Sequence, residues 1–249
     1  MDLKNPIAYT VLVIANVLGG ASLGLFGLFL FGVSFTQVDL WRGEAGILAW
    51  DLLLCLLFFV QHSGMIRKAY RRRLAAWVAE YYHGVLYTLA SAVVLFVLVL
   101  FWQSSATTLI SLQGIARWLM QGAFFASLLG MFWSMLALRG FDIFGNQAML
   151  AHISGTPAAS TPFAVRGPYH WVRHPLYFFT LVMIWSSPDL TLDRLLFNVL
   201  FTGWIVVGTR LEERDLVAEF GEHYRAYQRH VPMLIPHKLI KKDVGESIF

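Results

Sequence analysis

Cysteine and charge are both scarce in this chain. One cysteine, Cys55, occurs in 249 residues. A single thiol excludes a disulfide framework and a cluster of thiolate metal ligands. Its position inside an apolar run predicts a small, buried, apolar side chain. Charged residues make up only 14% of the sequence, and the glycine-rich G-x-G-x-x-G signal of a dinucleotide-binding fold is missing.

Apolar residues are abundant instead. They make up 57% of the chain, which includes nine tryptophans, and the mean hydropathy is +0.61. This composition is too apolar for a soluble globule and predicts an integral membrane protein. Residues 7–33 contain no charge, and such a run exceeds the roughly 20 residues that cross a bilayer. With Lys4 before it, the run predicts an anchor and not a cleaved signal peptide.

Five further apolar stretches are candidate spans by hydropathy. They are residues 46–60, 84–102, 115–138, 176–186 and 195–209. The last two are short, so each either crosses with help from its flanks or forms half of a tight hairpin. We therefore predict an all-α, polytopic transmembrane helical bundle with about six spans, the last two short, and no Rossmann domain.

The distribution of basic residues predicts the orientation. The loop after the second span contains five of them: Arg67, Lys68, Arg71, Arg72 and Arg73. In contrast, residues 103–114 carry no charge. That loop is therefore expected in the cytoplasm, together with the N-terminus, residues 139–174 and the C-terminal tail. The same rule and anionic lipid head groups explain the net charge of +4, so we expect membrane lipids and no nucleic acid as partners.

The segment RGPYHWVRHPLY, residues 166–177, is polar and conformationally restricted between apolar runs. Pro175 suits the first position of a helix and forces His174 into an extended conformation. The open helix N-terminus could bind a carboxylate or phosphate beside Arg166 and Arg173. A turn at 167–168 would bring Tyr169 back toward it. The alternative is that the arginines anchor the loop and the aromatics form an interfacial belt.

His170 and His174 have a spacing that metal ligands use on helices. Pro175 would interrupt a helix that contained both histidines, and no acidic ligand lies nearby in sequence. We predict no metal site and favour a proton-relay or ligand hydrogen-bonding role for His174.

A second polar segment, RLEERD at residues 210–215, follows the last apolar run. Its arginines are placed to pair with its acidic residues along a helix, which is the structural alternative to a binding role. Apolar and aromatic residues then continue at helical spacing: Leu216, Phe220, Tyr224, Tyr227 and Val231. This pattern predicts a C-terminal amphipathic helix that Pro232 stops and that folds back over the site. We interpret the two polar segments as one ligand site.

The ordered segments RGPYHWVRHPLY and LEERDLVAEFGEHYRAYQRHVPMLIP resemble membrane methyltransferases that include isoprenylcysteine carboxyl and phospholipid N-methyltransferases. Those families share an RHPxY segment, a pair of glutamates and a terminal tyrosine, valine and proline pattern. Upstream, FFVQHSGMIRKAYRRRL and RGFDIFGNQ are similar to the bacterial methanethiol S-methyltransferase branch. The resemblance implies an enzyme of the bacterial inner membrane, and the orientation predicted from the basic loop places its active site on the cytoplasmic side.

The resemblance also implies S-adenosylmethionine as cofactor. Carried over residue by residue, the implied cofactor-binding residues are Gly167, Pro168, Tyr169, His174, Pro175, Tyr177, Glu212, Glu213, Tyr224 and Tyr227. One departure is Phe179, where the family commonly has glycine; its bulk could reshape the pocket. We expect residues 1–138 to form a four-span scaffold and 139–249 a catalytic region with two short membrane helices and a cytosolic C-terminal helix.

The expected reaction is methyl transfer to a small or lipophilic thiol, with methanethiol as first choice and dimethyl sulfide as product. Arg173 would favour the reactive thiolate, and His174 or His62 would accept the proton. For His62, capping of a helix end is at least as good an explanation. For Asp51, inside an apolar run, we expect a structural hydrogen bond in the bundle interior.

Four alternatives stay open. The acceptor could be an isoprenylcysteine carboxylate or a phospholipid amine. Sterol reductases have a similar histidine-proline and tyrosine pattern, which suggests an NADPH-dependent membrane reductase. The chain could also be a non-catalytic ligand-binding membrane protein.

Overall fold

The computed structural model describes residues 6–36, 39–41, 43–138, 140, 142–156 and 163–237. Over these residues the helices are α1 (Pro6–Phe31), α2 (Glu44–Ile66), α3 (Lys68–Leu74), α4 (His83–Phe101), α5 (Gly114–Ala137), α6 (Gln147–Ser154), α7 (Pro175–Trp185), α8 (Leu192–Phe220) and α9 (Glu222–His230). Short 3₁₀ turns cover Glu80–Tyr82 and Gly167–His170. Lys4, which precedes the first predicted span, lies outside the described residues.

Five helices are long and apolar enough to cross a membrane: α1, α2, α4 with the turn before it, α5 and α8. Helix α7 is apolar but has only 11 residues, fewer than the roughly 20 that span the hydrocarbon. Over the described residues, the prediction of an α-helical membrane protein without a Rossmann sheet is therefore confirmed. The sequence did not predict the small two-stranded sheet of β1 (Thr108–Ser111) and β2 (Asp189–Thr191).

The last span is longer than the sequence predicted. We expected a short stretch at 195–209, but α8 runs without interruption for 29 residues. No glycine or proline follows Gly208 within the helix, and arginine, leucine and glutamate are good helix formers. The charged segment 210–215 is therefore part of the same helix as the apolar run.

The amphipathic helix predicted at the C-terminal end is not continuous with that segment. Gly221 separates α8 from α9 with φ 59° and ψ −127°, a conformation that residues with a Cβ rarely adopt. Helix α9 ends at His230, two residues before Pro232, as predicted. Because of this break, the direction in which the aromatic face of α9 points is not set by the helical periodicity of α8.

The chain divides into two compact units. The first contains residues 1–108, 142–160 and 191–197, and the second contains 109–141, 161–190 and 198–249. This division concerns packing and does not test the functional division expected at residue 139, which stays a prediction.

In the first unit, α4 packs against both α1 and α2. Gly84 of α4 lies in backbone contact with Gly145, so neither position has room for a Cβ. Asp51 is fully buried, and its Oδ1 accepts the backbone N–H of Gln103 at 3.0 Å. Cys55 is buried as a free thiol. The expectations for Asp51 and Cys55 are both confirmed.

In the second unit, α5 packs against α7 through a glycine. The ring of Phe179 occupies the place that a Cβ on Gly130 would take, with ring atoms less than 3.0 Å from it. Phe179 lies about 200° around α7 from Tyr177, because successive helical residues are about 100° apart. The bulk of Phe179, which the family resemblance made conspicuous, is thus accommodated by Gly130 on the face away from Tyr177.

We expect Gly130→Ala to lower the free energy of unfolding by about 1–3 kcal/mol, because the added methyl group overpacks the contact with Phe179. Adding Phe179→Leu to this variant should recover much of the loss. Thermal or denaturant unfolding of the purified protein in detergent measures both effects.

The matched control is Gly122→Ala in the same helix, where a Cβ meets nothing within 4 Å. It should be neutral or stabilising, by up to about 1 kcal/mol, because alanine favours the helix. Equal stability of the Gly122 and Gly130 variants would contradict the packing described for Phe179.

Candidate active site

The N-terminus of α7 organises the candidate site. Pro175 is the first helical residue, as predicted, and His174 before it has φ −125° and ψ 68°, outside the helical region. The backbone N–H of Arg173 donates to the Pro232 carbonyl at 2.9 Å, and that of His174 donates to the Met233 carbonyl at 3.2 Å. Two N–H groups near this helix start, where we expected an anion, are thus already bonded to the segment after α9.

Arg173 forms a buried ion pair with Glu213 of α8. Its Nε donates to Oε1 at 2.6 Å and its Nη2 to Oε2 at 3.0 Å, while the two side chains are only 9% and 11% exposed. Nη1 donates to the carbonyls of Gln228 and Val231. Four of the five guanidinium N–H groups are therefore used within the protein. Glu213 pairs with Arg173 and not with the arginines of its own helix.

Glu213 accepts three further hydrogen bonds. They come from His174 Nε2 at 3.2 Å, the Tyr224 hydroxyl at 3.3 Å and Gln228 Nε2 at 3.0 Å. His174 is only 6% exposed, and its Nε2 also lies 3.4 Å from the Tyr224 hydroxyl. One carboxylate thus joins the segment before α7 to two side chains of α9.

The aromatic face of α9 is buried. Tyr224, Tyr227 and Val231 form a cluster against which Phe163 and Phe220 pack. Burial raises the pKa of the Tyr224 phenol, and the charge of Glu213 raises it further. Burial likewise raises the pKa of Tyr227 well above its ordinary value. Both phenols are therefore neutral at pH 7 and keep the protons with which they donate.

The Tyr227 hydroxyl connects α9 to the turn before α7. It donates to the backbone carbonyl of Tyr169 at 2.6 Å and so fixes the turn at Gly167–His170. Gly167 has φ 54°, and its Cβ position would lie 3.2 Å from Trp133 Nε1 of α5. The predicted turn is present, and Pro168 within it is buried. Arg166, just before the turn, is exposed.

Glu212 has a different environment from its neighbour Glu213. Its side chain is 44% exposed, and its Oε2 accepts the Tyr177 hydroxyl at 2.8 Å. The His174 ring stacks on the Tyr177 ring with centroids 5.7 Å apart, and His174 Nδ1 lies 4.0 Å from Glu212. Burial raises the pKa of Tyr169, and the charge of Glu212 raises it further. Glu212 and Tyr177 therefore form the accessible, polar side of the site.

All the implied cofactor-binding residues, and Arg173, lie in the second compact unit. His62 lies in the first unit, in contact with Tyr87. Its role as a proton acceptor stays a prediction.

Sequence reasoning missed Gln228 and the carbonyls that follow it. Gln228 donates to Glu213 and its carbonyl accepts from Arg173. A signal was present, because Gln228 follows Tyr224 by four residues and therefore lies on the same helical face. The backbone acceptors at Val231, Pro232 and Met233 carry no side-chain signal. Among the described residues, no group of three or more histidine, cysteine or acidic side chains could hold a metal ion.

Comparison with known proteins places the chain in a family. Methanethiol S-methyltransferase 2 of Bradyrhizobium diazoefficiens is 36% identical over 82% of this chain and 78% of its own length. Methanethiol S-methyltransferase of Pseudomonas deceptionensis is 36% identical over 75% of this chain and 71% of its own. Nurim of Rattus norvegicus is 29% identical over 70% of each.

No family model and no solved structure matches the chain. The identity to the two bacterial enzymes extends over three quarters or more of this sequence. The chain therefore belongs to the methanethiol S-methyltransferase family.

Proposed function

We propose that this protein is an integral membrane enzyme that transfers a methyl group from S-adenosylmethionine to methanethiol and so produces dimethyl sulfide. The observation that carries the proposal is its 36% identity, over 82% of the chain, to an enzyme named for that acceptor. The accessible carboxylate of Glu212 beside Tyr177 and His174 also supports the proposal, because it offers a partner for the cationic methyl donor.

The residues of the site suit such a donor. S-adenosylmethionine presents a positive sulfonium, an amino group and ribose hydroxyls, and all of these favour a carboxylate partner. Glu212 is accessible, carries a charge, and has one of its two oxygens bonded to Tyr177. Glu212, Tyr177, His174 and Tyr169 would hold the donor, which supplies an electrophilic methyl group when bound. The turn beginning at Gly167 and Pro168, with Pro175, Glu213, Tyr224 and Tyr227, would keep these four residues in place.

The contribution of this chain to the reaction is alignment and the exclusion of water. Methyl transfer is an in-line displacement, which gains chiefly from correct orientation of the reacting atoms and from a dry environment. The ion pair between Arg173 and Glu213 fixes the start of α7 against α9. We assign Arg173 a positioning role, because stabilising a thiolate directly would require it to give up hydrogen bonds within the protein.

We also propose that the enzyme lies in the bacterial inner membrane with its site facing the cytoplasm. The basic loop around α3 supports this orientation by the positive-inside rule. All the proposed donor-binding residues lie between 167 and 227, which supports a catalytic region after residue 139.

The direct test uses purified protein, donor with a labelled methyl group and methanethiol. We expect labelled dimethyl sulfide in the headspace. An isoprenylcysteine analogue and phosphatidylethanolamine are assayed in parallel as alternative acceptors, and transfer to one of them alone would reassign the substrate. Binding of NADPH without binding of S-adenosylmethionine would favour a reductase.

Because the chain is also similar to Nurim, whose name states no activity, the experiment includes one further measurement. Donor binding measured by calorimetry, without methyl transfer to any acceptor, would contradict the enzymatic proposal and support a ligand-binding membrane protein.

Replacing Glu212 by glutamine should weaken donor binding. The variant loses a charged acceptor in the accessible part of the site, and a hydrogen bond to a charged group contributes about 1.5–3 kcal/mol. We expect the Kd for S-adenosylmethionine to rise about 10- to 100-fold with little change in Tm. Glu219→Gln, at an exposed position of the same helix, is the matched control and should leave both values unchanged. Equal affinities of the two variants would contradict the assignment of Glu212.

Replacing Glu213 by glutamine should act mainly on stability. Removing one charge of a buried ion pair leaves Arg173 uncompensated, which costs about 3–5 kcal/mol. We expect a marked fall in Tm together with loss of methyl transfer. Glu222→Gln is the control, because its ion pair with Arg229 is exposed and should contribute nothing measurable to Tm. A Glu213 variant as stable as the Glu222 variant would show that the buried pair does not hold the site together.

A further inference from the structure

A strongly basic surface follows α2 in the first compact unit. We name residues 67–77, RKAYRRRLAAW, the basic segment. It contains no acidic residue and five basic ones: Arg67, Lys68, Arg71, Arg72 and Arg73. The next acidic residue along the chain is Glu80, which is exposed. The basic segment therefore carries a concentrated positive charge.

The basic segment is a separate element and does not continue α2. Arg67 has φ −63° and ψ 136°, an extended conformation that ends α2 and precedes α3. After α3 the chain continues in turns, in which the backbone N–H of Trp77 donates to the Leu74 carbonyl at 2.9 Å. Helix α2 is long and apolar enough to cross a membrane. The basic segment begins where this span ends, and we therefore place it at the membrane surface.

The charges of the basic segment are accessible. No residue of α3 is buried, and Lys68, Arg71, Arg72 and Arg73 are exposed. Within the described part of the chain, neither these four side chains nor Arg67 forms an ion pair. The positive charge is thus available to an anionic partner outside the protein.

One side of the basic segment is aromatic. Tyr70 and Leu74 are four residues apart and share a helical face, and Trp77 lies one tight turn further along the chain. Tyr70 is 40% exposed and Trp77 is 90% exposed. Tryptophan and tyrosine are enriched where a membrane meets water, because their amphipathic rings lie at the level of the lipid head groups. The aromatic side therefore suits a bilayer surface.

The basic side chains divide into two pairs relative to this aromatic side. At about 100° per residue, Arg71 and Arg73 lie about 80° to either side of the line through Tyr70 and Leu74. Lys68 and Arg72 lie about 140° and 180° from the same line. If the aromatic side rests on the bilayer, Arg71 and Arg73 lie beside the head groups and the other pair faces water.

We propose that the basic segment binds anionic phospholipids of the membrane that the chain spans. Tyr70 and Trp77 lie among the head groups, and the guanidinium groups of Arg71 and Arg73 bind lipid phosphates through paired hydrogen bonds. Charge complementarity, together with a position directly after a spanning helix, favours a lipid over a soluble polyanion. This surface takes no part in methyl transfer, so the inference goes beyond the proposed function and does not rest on it.

The test measures binding of a short-chain phosphatidylglycerol to the full chain in a neutral detergent by native mass spectrometry. Phosphatidylcholine of the same chain length is the lipid control, and wild type should bind the anionic lipid more tightly. We expect R71Q/R73Q to raise the apparent Kd for phosphatidylglycerol about 5- to 25-fold, since each basic residue near an anionic surface contributes a factor of about five. The Kd for phosphatidylcholine should be unchanged.

The matched control is K68Q/R72Q, which removes the same charge from the opposite side of α3. It should raise the Kd for phosphatidylglycerol no more than about twofold, because charges that face water are screened by salt. All four side chains are exposed, so both double variants should keep the Tm of wild type. Equal weakening by the two double variants would show that net charge alone attracts the lipid and would overturn the proposed binding face.

Trp77→Phe tests the orientation independently. In phosphatidylglycerol vesicles, the difference in fluorescence between wild type and this variant reports on Trp77, and lipid brominated near the head group should quench it. An unquenched difference would place Trp77 in water and contradict the proposal. Tighter binding of an oligonucleotide or of glycerol phosphate than of the lipid would assign the basic segment to a soluble anion and would overturn the proposal as well.

Discussion

The buried ion pair between Arg173 and Glu213 is the interaction on which the candidate site depends. A charge pair with so little solvent contact is stable only if its remaining donors and acceptors are also satisfied. Here Arg173 donates to the carbonyls of Gln228 in α9 and of Val231 just after it. Glu213 accepts from His174, Tyr224 and Gln228. The start of α7, the C-terminal third of α8 and the aromatic face of α9 are thereby joined through one carboxylate.

Two adjacent glutamates consequently have different functions in this interpretation. Residues 212 and 213 are separated by about 100° around α8, so one faces the ion pair and the other the accessible side. Glu213 accepts hydrogen bonds on both of its oxygens from within the protein. Within the described part of the chain, Glu212 accepts a hydrogen bond from Tyr177 and lies 4.0 Å from His174. A rigid interior carboxylate that supports an accessible one suits a cationic methyl donor, because the orientation of the site is set before the ligand arrives.

Much of this arrangement follows from sequence patterns, and the exceptions have physical reasons. Pro175 predicted the start of α7, and hydropathy identified the spanning helices. The length of α8 was underestimated because hydropathy ends at Thr209 while helix propensity continues. The break at Gly221 depends on a backbone conformation that helical periodicity does not reveal. The backbone partners of Arg173 were missed because carbonyl groups carry no side-chain signal. The packing partner of Phe179 was missed because Gly130 has no side chain.

We propose that the donor binds against Glu212 while the ion pair of Arg173 and Glu213 stays intact. Membership of the methanethiol S-methyltransferase family makes S-adenosylhomocysteine, the demethylated form of the proposed donor, a suitable ligand for a structure determination. The most direct measurement is the position of that ligand in the complex. We predict a hydrogen bond of about 3 Å from its amino group or ribose to Glu212, with the ion pair unchanged. A ligand bound away from Glu212, or one that displaces Glu213 from Arg173, would contradict this binding mode.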